Sequence, residues 1–162
     1  MDKVSSAQGV LAGVKVLCVD DVPDALSLLA LVLRRAGALV TTQTSAETAI
    51  ECLRDNLFDV LVSDIQMPPG LDGYDLVHAL RKMEKDDSAR IATPTLALSA
   101  DALQHSSKKR FADFQVYMAK PFDLKYLVHI VERLAEADGE SVKHGTLAAW
   151  EHDTHRDGPQ PD

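Results

Sequence analysis

Long apolar runs are missing from this chain. None approaches the ~18 residues of a membrane-spanning helix, and the first residues carry no basic-then-apolar leader pattern. The expected location is therefore the cytosol. Cysteine is scarce. Cys18 lies inside an apolar run and Cys52 inside a helical pattern. Both read as reduced, core or half-buried residues rather than as a disulfide framework. Positive charge is also short, with 17 Lys and Arg against 25 Asp and Glu and a net charge of −8. Lys108-Lys109-Arg110 is the one basic cluster, and it reads as a solvated helix face. A nucleic-acid partner held through its phosphates is thus not expected. No Gly-x-Gly-x-x-Gly follows the first apolar run, so dinucleotide binding lacks its fingerprint. No internal repeat is visible.

What remains is an ordinary globular composition, 46% apolar and 26% charged over 162 residues, enough for one domain with a full core. Short apolar runs alternate with helical patterns. Strands are expected at Lys15 to Asp20, Ala38 to Gln43, Phe58 to Asp64, Thr95 to Ser99 and Val116 to Lys120. Pro23 opens a helix whose apolar face is Ala25, Leu28, Leu29, Val32 and Leu33, closed by Gly37. Thr44 with Glu47 forms a capping-box signature for a second helix carrying Ala49, Ile50 and Leu53. A third runs from Gly73 to about Glu84 on Leu76, Val77 and Leu80, and a weaker fourth spans Ala102 to Ala112. Asp123 caps a fifth with the stripe Leu124, Leu127, Val128, Val131 and Leu134. Strict alternation of this kind demands a parallel sheet covered by helices on both faces. Residues 1–12 are expected as a flexible lead, 13–137 as the domain, and 138–162 as an acidic, disordered tail with six acids against Lys143 and Arg156.

Four of the strands end in chemistry: Asp20-Asp21, Asp64, Ser99 and Lys120-Pro121. In an open α/β sheet, ligands lie outside the carboxyl ends of the strands. Three carboxylates, a hydroxyl and an ammonium at one edge suit a divalent cation together with a phosphoryl group. A carboxylate at such a place is a candidate nucleophile toward phosphorus, and clustered carboxylates repel, so at least one should titrate high. A solvated acidic loop is as good a reading of Asp20-Asp21 alone. The whole tetrad in order is far more specific than any single member.

Val19-Asp20-Asp21, Asp64-Ile65-Gln66-Met67-Pro68 with Asp72-Gly73, Leu98-Ser99-Ala100, and Tyr117-Met118-Ala119-Lys120-Pro121-Phe122 together resemble the receiver domain of two-component response regulators. The resemblance covers residues 13 to 137 and implies a flavodoxin-like doubly wound (βα)5 fold with a five-stranded parallel sheet. It implies phosphorylation on Asp64 by a sensor histidine kinase or a histidine phosphotransfer protein, and output through a downstream protein target. It implies Mg²⁺ held by Asp21 and Asp64, by Asp20 mainly through water, and by the backbone carbonyl of Gln66. Lys120 and Ser99 would stabilise the phosphoryl group, and Ser99 and Tyr117 would form a switch. The Lys120-Pro121 bond would be cis. The chain would catalyse only its own phosphorylation and dephosphorylation, not the turnover of a separate substrate.

Three places depart from the family pattern. Met67-Pro68-Pro69-Gly70-Leu71-Asp72-Gly73 is one residue longer than usual, which bears on where the Gln66 carbonyl lies. Asp113 stands where a glycine is common, and Asp tolerates that turn. Gln66 and Asp101, two residues past Asp64 and Ser99, border the path of the hydrolytic water. A phosphoryl carrier or sink in a relay is an alternative to a signalling receiver. An aspartate-nucleophile phosphatase is the alternative of another class. Its haloacid-dehalogenase-like form wants Asp-x-Asp after the first strand, where this chain has Asp20-Asp21-Val22.

The histidines add little. His78, His105 and His129 fall on helix patterns and read as partly exposed, and His144, His152 and His155 fall in the tail. In the same segment Thr146 could cap a short turn that puts Leu147 and Trp150 on one face. That pair either packs on a protein surface or sits in a disordered tail.

Overall fold

A computed structural model of the protein describes residues 9–100 and 114–137. Five strands alternate with helices: β1 (Lys15–Val19), α1 (Pro23–Arg35), β2 (Leu39–Gln43), α2 (Ala46–Asp55), β3 (Val60–Asp64), α3 (Gly73–Asp86), β4 (Thr95–Ser99), β5 (Val116–Ala119) and α4 (Leu124–Ala135). The expected helix at Ala102–Ala112 lies outside the described residues. So do Asp101, His105, the Lys108–Arg110 cluster, Asp113 and the segment from Asp138 with Leu147 and Trp150.

All strand pairs are parallel, in the order β2-β1-β3-β4-β5. Residues two apart along a strand share a face, and each face has its own core. Val16, Cys18, Val60, Val62, Leu96, Leu98, Val116 and Met118 meet α1 and α4 through Leu29, Leu33, Leu127 and Leu134. The alternate residues Leu17, Val19 and Leu61 meet α2 and α3 through Ala49, Leu53, Leu76 and Leu80. This is the doubly wound α/β fold. Because β1 lies between β2 and β3, the chain reverses its winding there, and the crevice opens at the carboxyl ends of β1 and β3.

The helix ends show how local chemistry sets the elements. Gly37, at φ 105, follows α1. Its amide reaches the Arg34 carbonyl and the Ala38 amide reaches that of Leu33, which closes the helix in a Schellman motif. Asp72 and Asp75 cap α3 reciprocally, each side chain accepting from the other's backbone amide. Asp123 caps α4 by accepting from the Lys125 and Tyr126 amides.

Several sequence expectations shift. The cap of α2 is Ser45, not Thr44. Its hydroxyl accepts from the Thr48 amide, and Glu47 is turned elsewhere. The face that α1 buries is Leu26, Leu29, Ala30 and Leu33, and Leu28 stays 48% exposed. In α4, Ile130 joins Leu127, Val131 and Leu134 in the core, while Leu124 and Val128 are only half-buried. Asp20 and Lys120 fall one residue beyond their strands. Residues 9–12, expected as part of a loose lead, form a turn in which Leu11 is fully buried and its amide bonds the Ala36 carbonyl. The apolar side chain of Leu11 fills the end of the α1–α4 core.

Candidate functional site

The strands deliver the tetrad to one edge. Asp20 follows β1 and is 2% exposed. One of its carboxylate oxygens accepts from the Val22 amide at 2.9 Å. The other lies 3.2 Å from Lys120 Nζ. Asp64 ends β3, and its Oδ2 lies 3.5 Å from the same ammonium. Carboxylate oxygens of Asp20, Asp21 and Asp64 all fall within 4.8 Å of one another. Lys120 itself is held by its backbone, whose amide donates to the Ser99 carbonyl at 2.8 Å. Ser99 is buried at the end of β4, opposite Ala119. The Lys120-Pro121 bond is cis.

The electrostatics follow from this crowding. Burial, first of all, pushes the Asp64 carboxyl above its ordinary range. Lys120 pulls it back down, while the neighbouring carboxylates Asp20 and Asp21 add to the rise. One acid of the cluster was expected to titrate high because of like-charge repulsion. Desolvation is the larger cause. Three hard oxygen donors this close are the donor set a small divalent cation takes, with waters and phosphate oxygens completing its shell. The residues therefore fit Mg²⁺.

The loop after Asp64 accommodates its extra residue on the outside. Met67 is buried in the α2–α3 core and Gly73 donates from its amide to the Ile65 carbonyl at 2.8 Å, so both ends are fixed. Gln66 is exposed between Ile65 and Met67. The surplus falls at Pro68, Pro69 and Gly70, and the Pro68-Pro69 bond is cis. There Glu47 reaches across from α2 to accept the Leu71 amide at 2.8 Å. That hydrogen bond holds the Glu47 carboxyl below its ordinary range. Gly73 is required by close approach. A Cβ there would lie 2.5 Å from the Asp64 carbonyl oxygen and 2.9 Å from Ile65 Cα. Ser63 adds a hydroxyl that donates to the Asp64 carbonyl at 2.8 Å.

Tyr117 is half-buried on β5 and meets Phe114 edge-on, with ring centres 5.6 Å apart. Phe114 meets Tyr74 of α3 in the same manner at 5.9 Å. Sequence reasoning singled out neither Phe114 nor Tyr74, nor the reach of Glu47. An aromatic next to a strand and a glutamate near a helix start carry no signal of so distant a partner.

Among the described residues, two of the grooves bear on the choice of site. One of about 330 Å³ adjoins the tetrad, lined by Asp20, Lys120 and the apolar Leu28, Pro121, Phe122 and Leu124. A larger one of about 740 Å³ lies at the opposite edge, by Lys15, Leu39 and Asn56, and includes no member of the tetrad. Size alone would favour the second. The chemistry is at the first.

An open parallel sheet with a carboxylate cluster and a lysine at its switch point defines an acidic α/β site. The match to known proteins is specific: the model of the response regulator receiver domain covers residues 16–132, and the chain belongs to that family. A 14.6 kDa protein encoded in the sodA1 3′ region of Leptolyngbya boryana is 34% identical over 124 residues, 76% of this chain and 91% of that protein. The sensor protein GacS of Pseudomonas syringae pv. syringae is 30% identical over 118 residues, 72% of this chain but only 13% of its own length. The receiver domain of the sensor histidine kinase PA1611 from Pseudomonas aeruginosa, solved with a magnesium ion coordinated in its active site cleft, superposes with a TM-score of 0.67 at 28% identity. That match covers 78% of this chain and all of the solved domain. Among the described residues no helix is long and apolar enough to cross a membrane.

Proposed function

We propose that this chain is a phosphoacceptor receiver of a two-component or phosphorelay system, modified on Asp64. The observation that carries the reading is the placement of Lys120 Nζ 3.5 Å from Asp64 Oδ2, beside the Asp20-Asp21 pair. A carboxylate oxygen of Asp64 attacks phosphorus, and the bond from phosphorus to an imidazole nitrogen of a partner's phosphohistidine breaks. The histidine leaves with that electron pair, and an acyl phosphate remains on Asp64. Lys120 balances the charge of the phosphoryl oxygens, and Ser99 offers its hydroxyl to one of them. Mg²⁺, held by Asp21 and Asp64, by Asp20 through water and by the Gln66 carbonyl, would draw negative charge off the group in transit. Tyr117 then reports the state of the site. The apolar groove beside Asp20 and Lys120 suits a helix of the phosphodonor, a sensor kinase or phosphotransfer protein.

With Mg²⁺ and a small acyl phosphate donor, intact mass should rise by one phosphoryl group, and Asp64→Asn should show none. Undiminished labelling of that variant would refute the assignment. The similarity to a short stretch of the sensor protein GacS supports a second reading, a relay carrier that passes the group to another histidine. Transfer from the labelled protein back onto a phosphotransfer histidine distinguishes the two. Sustained hydrolysis of small phosphomonoesters would instead indicate a phosphatase.

A further inference from the structure

We infer that Tyr74 and Phe114 are positioning residues for Tyr117, and that through them the first turn of α3 responds to the state of Asp64. The inference rests on the receiver reading and extends it to residues that the reading does not use.

Three rings form a continuous ladder across the face of the sheet covered by α2 and α3. Tyr117 meets Phe114 with ring centres 5.6 Å apart and planes at 68°. Phe114 meets Tyr74 at 5.9 Å and 73°. Both contacts are edge-to-face, the arrangement that aromatic quadrupoles favour. Phe114 is 2% exposed and Tyr74 4%. Both rings are therefore packed against neighbours rather than against solvent. Ile65, Val77 and Ala97 complete this small cluster, separate from the two larger cores.

Each end of the ladder is tied to the site. At one end, Tyr74 follows Gly73, whose amide bonds the Ile65 carbonyl at 2.8 Å. Ile65 follows Asp64 and sits in the same cluster. At the other end, Tyr117 lies opposite Ala97 in the β4–β5 register, one alternate position before Ser99 and Ala119. The next residue, Lys120, is bonded through its amide to Ser99. Asp64, Ile65, Gly73, Tyr74, Phe114, Tyr117 and Lys120 thus lie on one circuit, joined in part by contacts and in part along the chain, and Lys120 returns to Asp64 at 3.5 Å. Tyr117 cannot change its packing without moving the edge on which Phe114 rests, and Phe114 cannot move without Tyr74. Packed contacts shift between discrete arrangements more readily than they deform continuously, so a repacked Tyr117 would carry Phe114 and Tyr74 with it. Coupling is reciprocal, so altering Tyr74 alters Tyr117 as well.

The test uses the full chain labelled with fluorotyrosine. It carries three tyrosines, Tyr74, Tyr117 and Tyr126. Tyr126 packs on the opposite core and serves as the internal reference. Resonances are assigned with single Tyr→Phe variants. Before any donor is added, Tyr74→Ala should shift the Tyr117 resonance, and the same change in a Phe114→Leu background should shift it no further. With Mg²⁺ and acyl phosphate, Tyr74 and Tyr117 should both move while Tyr126 stays. In Phe114→Leu the Tyr74 response should shrink to what Gly73 and Ile65 carry on their own, and the Tyr117 response should be kept. Phe114→Met, which retains volume without a ring face, should behave like Phe114→Leu if the leucine variant folds poorly. A Tyr74 resonance that never responds, or that responds equally without Phe114, overturns the inference. So does a Tyr117 resonance indifferent to Tyr74→Ala. Intact mass on the same samples reports phosphorylation of Asp64 separately. Failure of the receiver reading would appear there, and the donor-free arm would still decide the ladder.

Discussion

Lys120 and Asp20 form the tightest ion pair of the site, with Nζ 3.2 Å from Oδ2, and Asp20 is 2% exposed. A carboxylate so far from solvent needs a partner, or its desolvation is uncompensated. The lysine that would balance an arriving phosphoryl group therefore already supports the fold.

Lys120→Ala should accordingly cost stability as well as function. Truncating one partner of a buried pair costs about 3–5 kcal/mol. The Lys120 side chain is 28% exposed, so water screens the pair and the expected loss is lower, about 1–3 kcal/mol. Loss of the charge opposite the phosphoryl oxygens should slow labelling of Asp64 by about a hundredfold. Urea unfolding and the rate of mass gain with acyl phosphate measure the two effects. Unchanged labelling would remove Lys120 from the chemistry.

Asp64 should act in the opposite sense on stability. Its folded-state pKa is raised, chiefly by burial. The contribution of such a group is fully present below the ordinary carboxylate range and is lost as pH rises through the raised value. Asp64→Asn removes this loss. The variant should be the more stable protein at neutral pH, and the gap should close as pH falls through the raised value toward the ordinary carboxylate value of about 4. Denaturation midpoints across that range check it. A variant less stable than wild type at neutral pH would contradict the sign.

Much of the candidate site's geometry is legible in the sequence because each residue of the tetrad ends a short apolar run, and a parallel sheet gathers such ends at one edge. What the sequence leaves open depends on phase and reach. From Ala25 to Leu33 the first helix is apolar almost all round. Two stripes satisfy the helical spacing, and only packing against the sheet selects Leu26 and Ala30 over Leu28. Thr44 and Ser45 both offer a hydroxyl, and the backbone geometry selects the second. Glu47 looks like a capping residue but bonds Leu71, 24 positions away. No local pattern encodes that distance.

Divalent metal should stabilise the wild-type protein by mass action, since it binds the folded cluster and not the dispersed carboxylates. At a hundredfold excess over Kd the gain is about 2.7 kcal/mol. Asp21→Ala removes one of the three clustered donors. Most of the Mg²⁺-dependent rise in melting temperature should vanish with it. An equal rise in both proteins would place the metal elsewhere.

The two glycines of the loop after Asp64 should behave differently under the same substitution. At Gly73 an added methyl meets backbone, the Asp64 carbonyl oxygen at 2.5 Å and Ile65 Cα at 2.9 Å. Neither can move without carrying the Asp64 side chain with it. Gly73→Ala should therefore cost about 1–3 kcal/mol through overpacking and slow phosphorylation together. At Gly70 the added methyl meets only the carboxylate tip of Glu47. That exposed side chain can swing away, so Gly70→Ala should leave global stability nearly unchanged. Displacing Glu47 frees the Leu71 amide it holds at 2.8 Å. Hydrogen exchange at Leu71 should then quicken in Gly70→Ala and in Glu47→Ala alike, with Asp64 labelling retained in both. If Gly73→Ala labels as fast as wild type, the contact between the start of α3 and the Asp64 backbone does not position the phosphoacceptor.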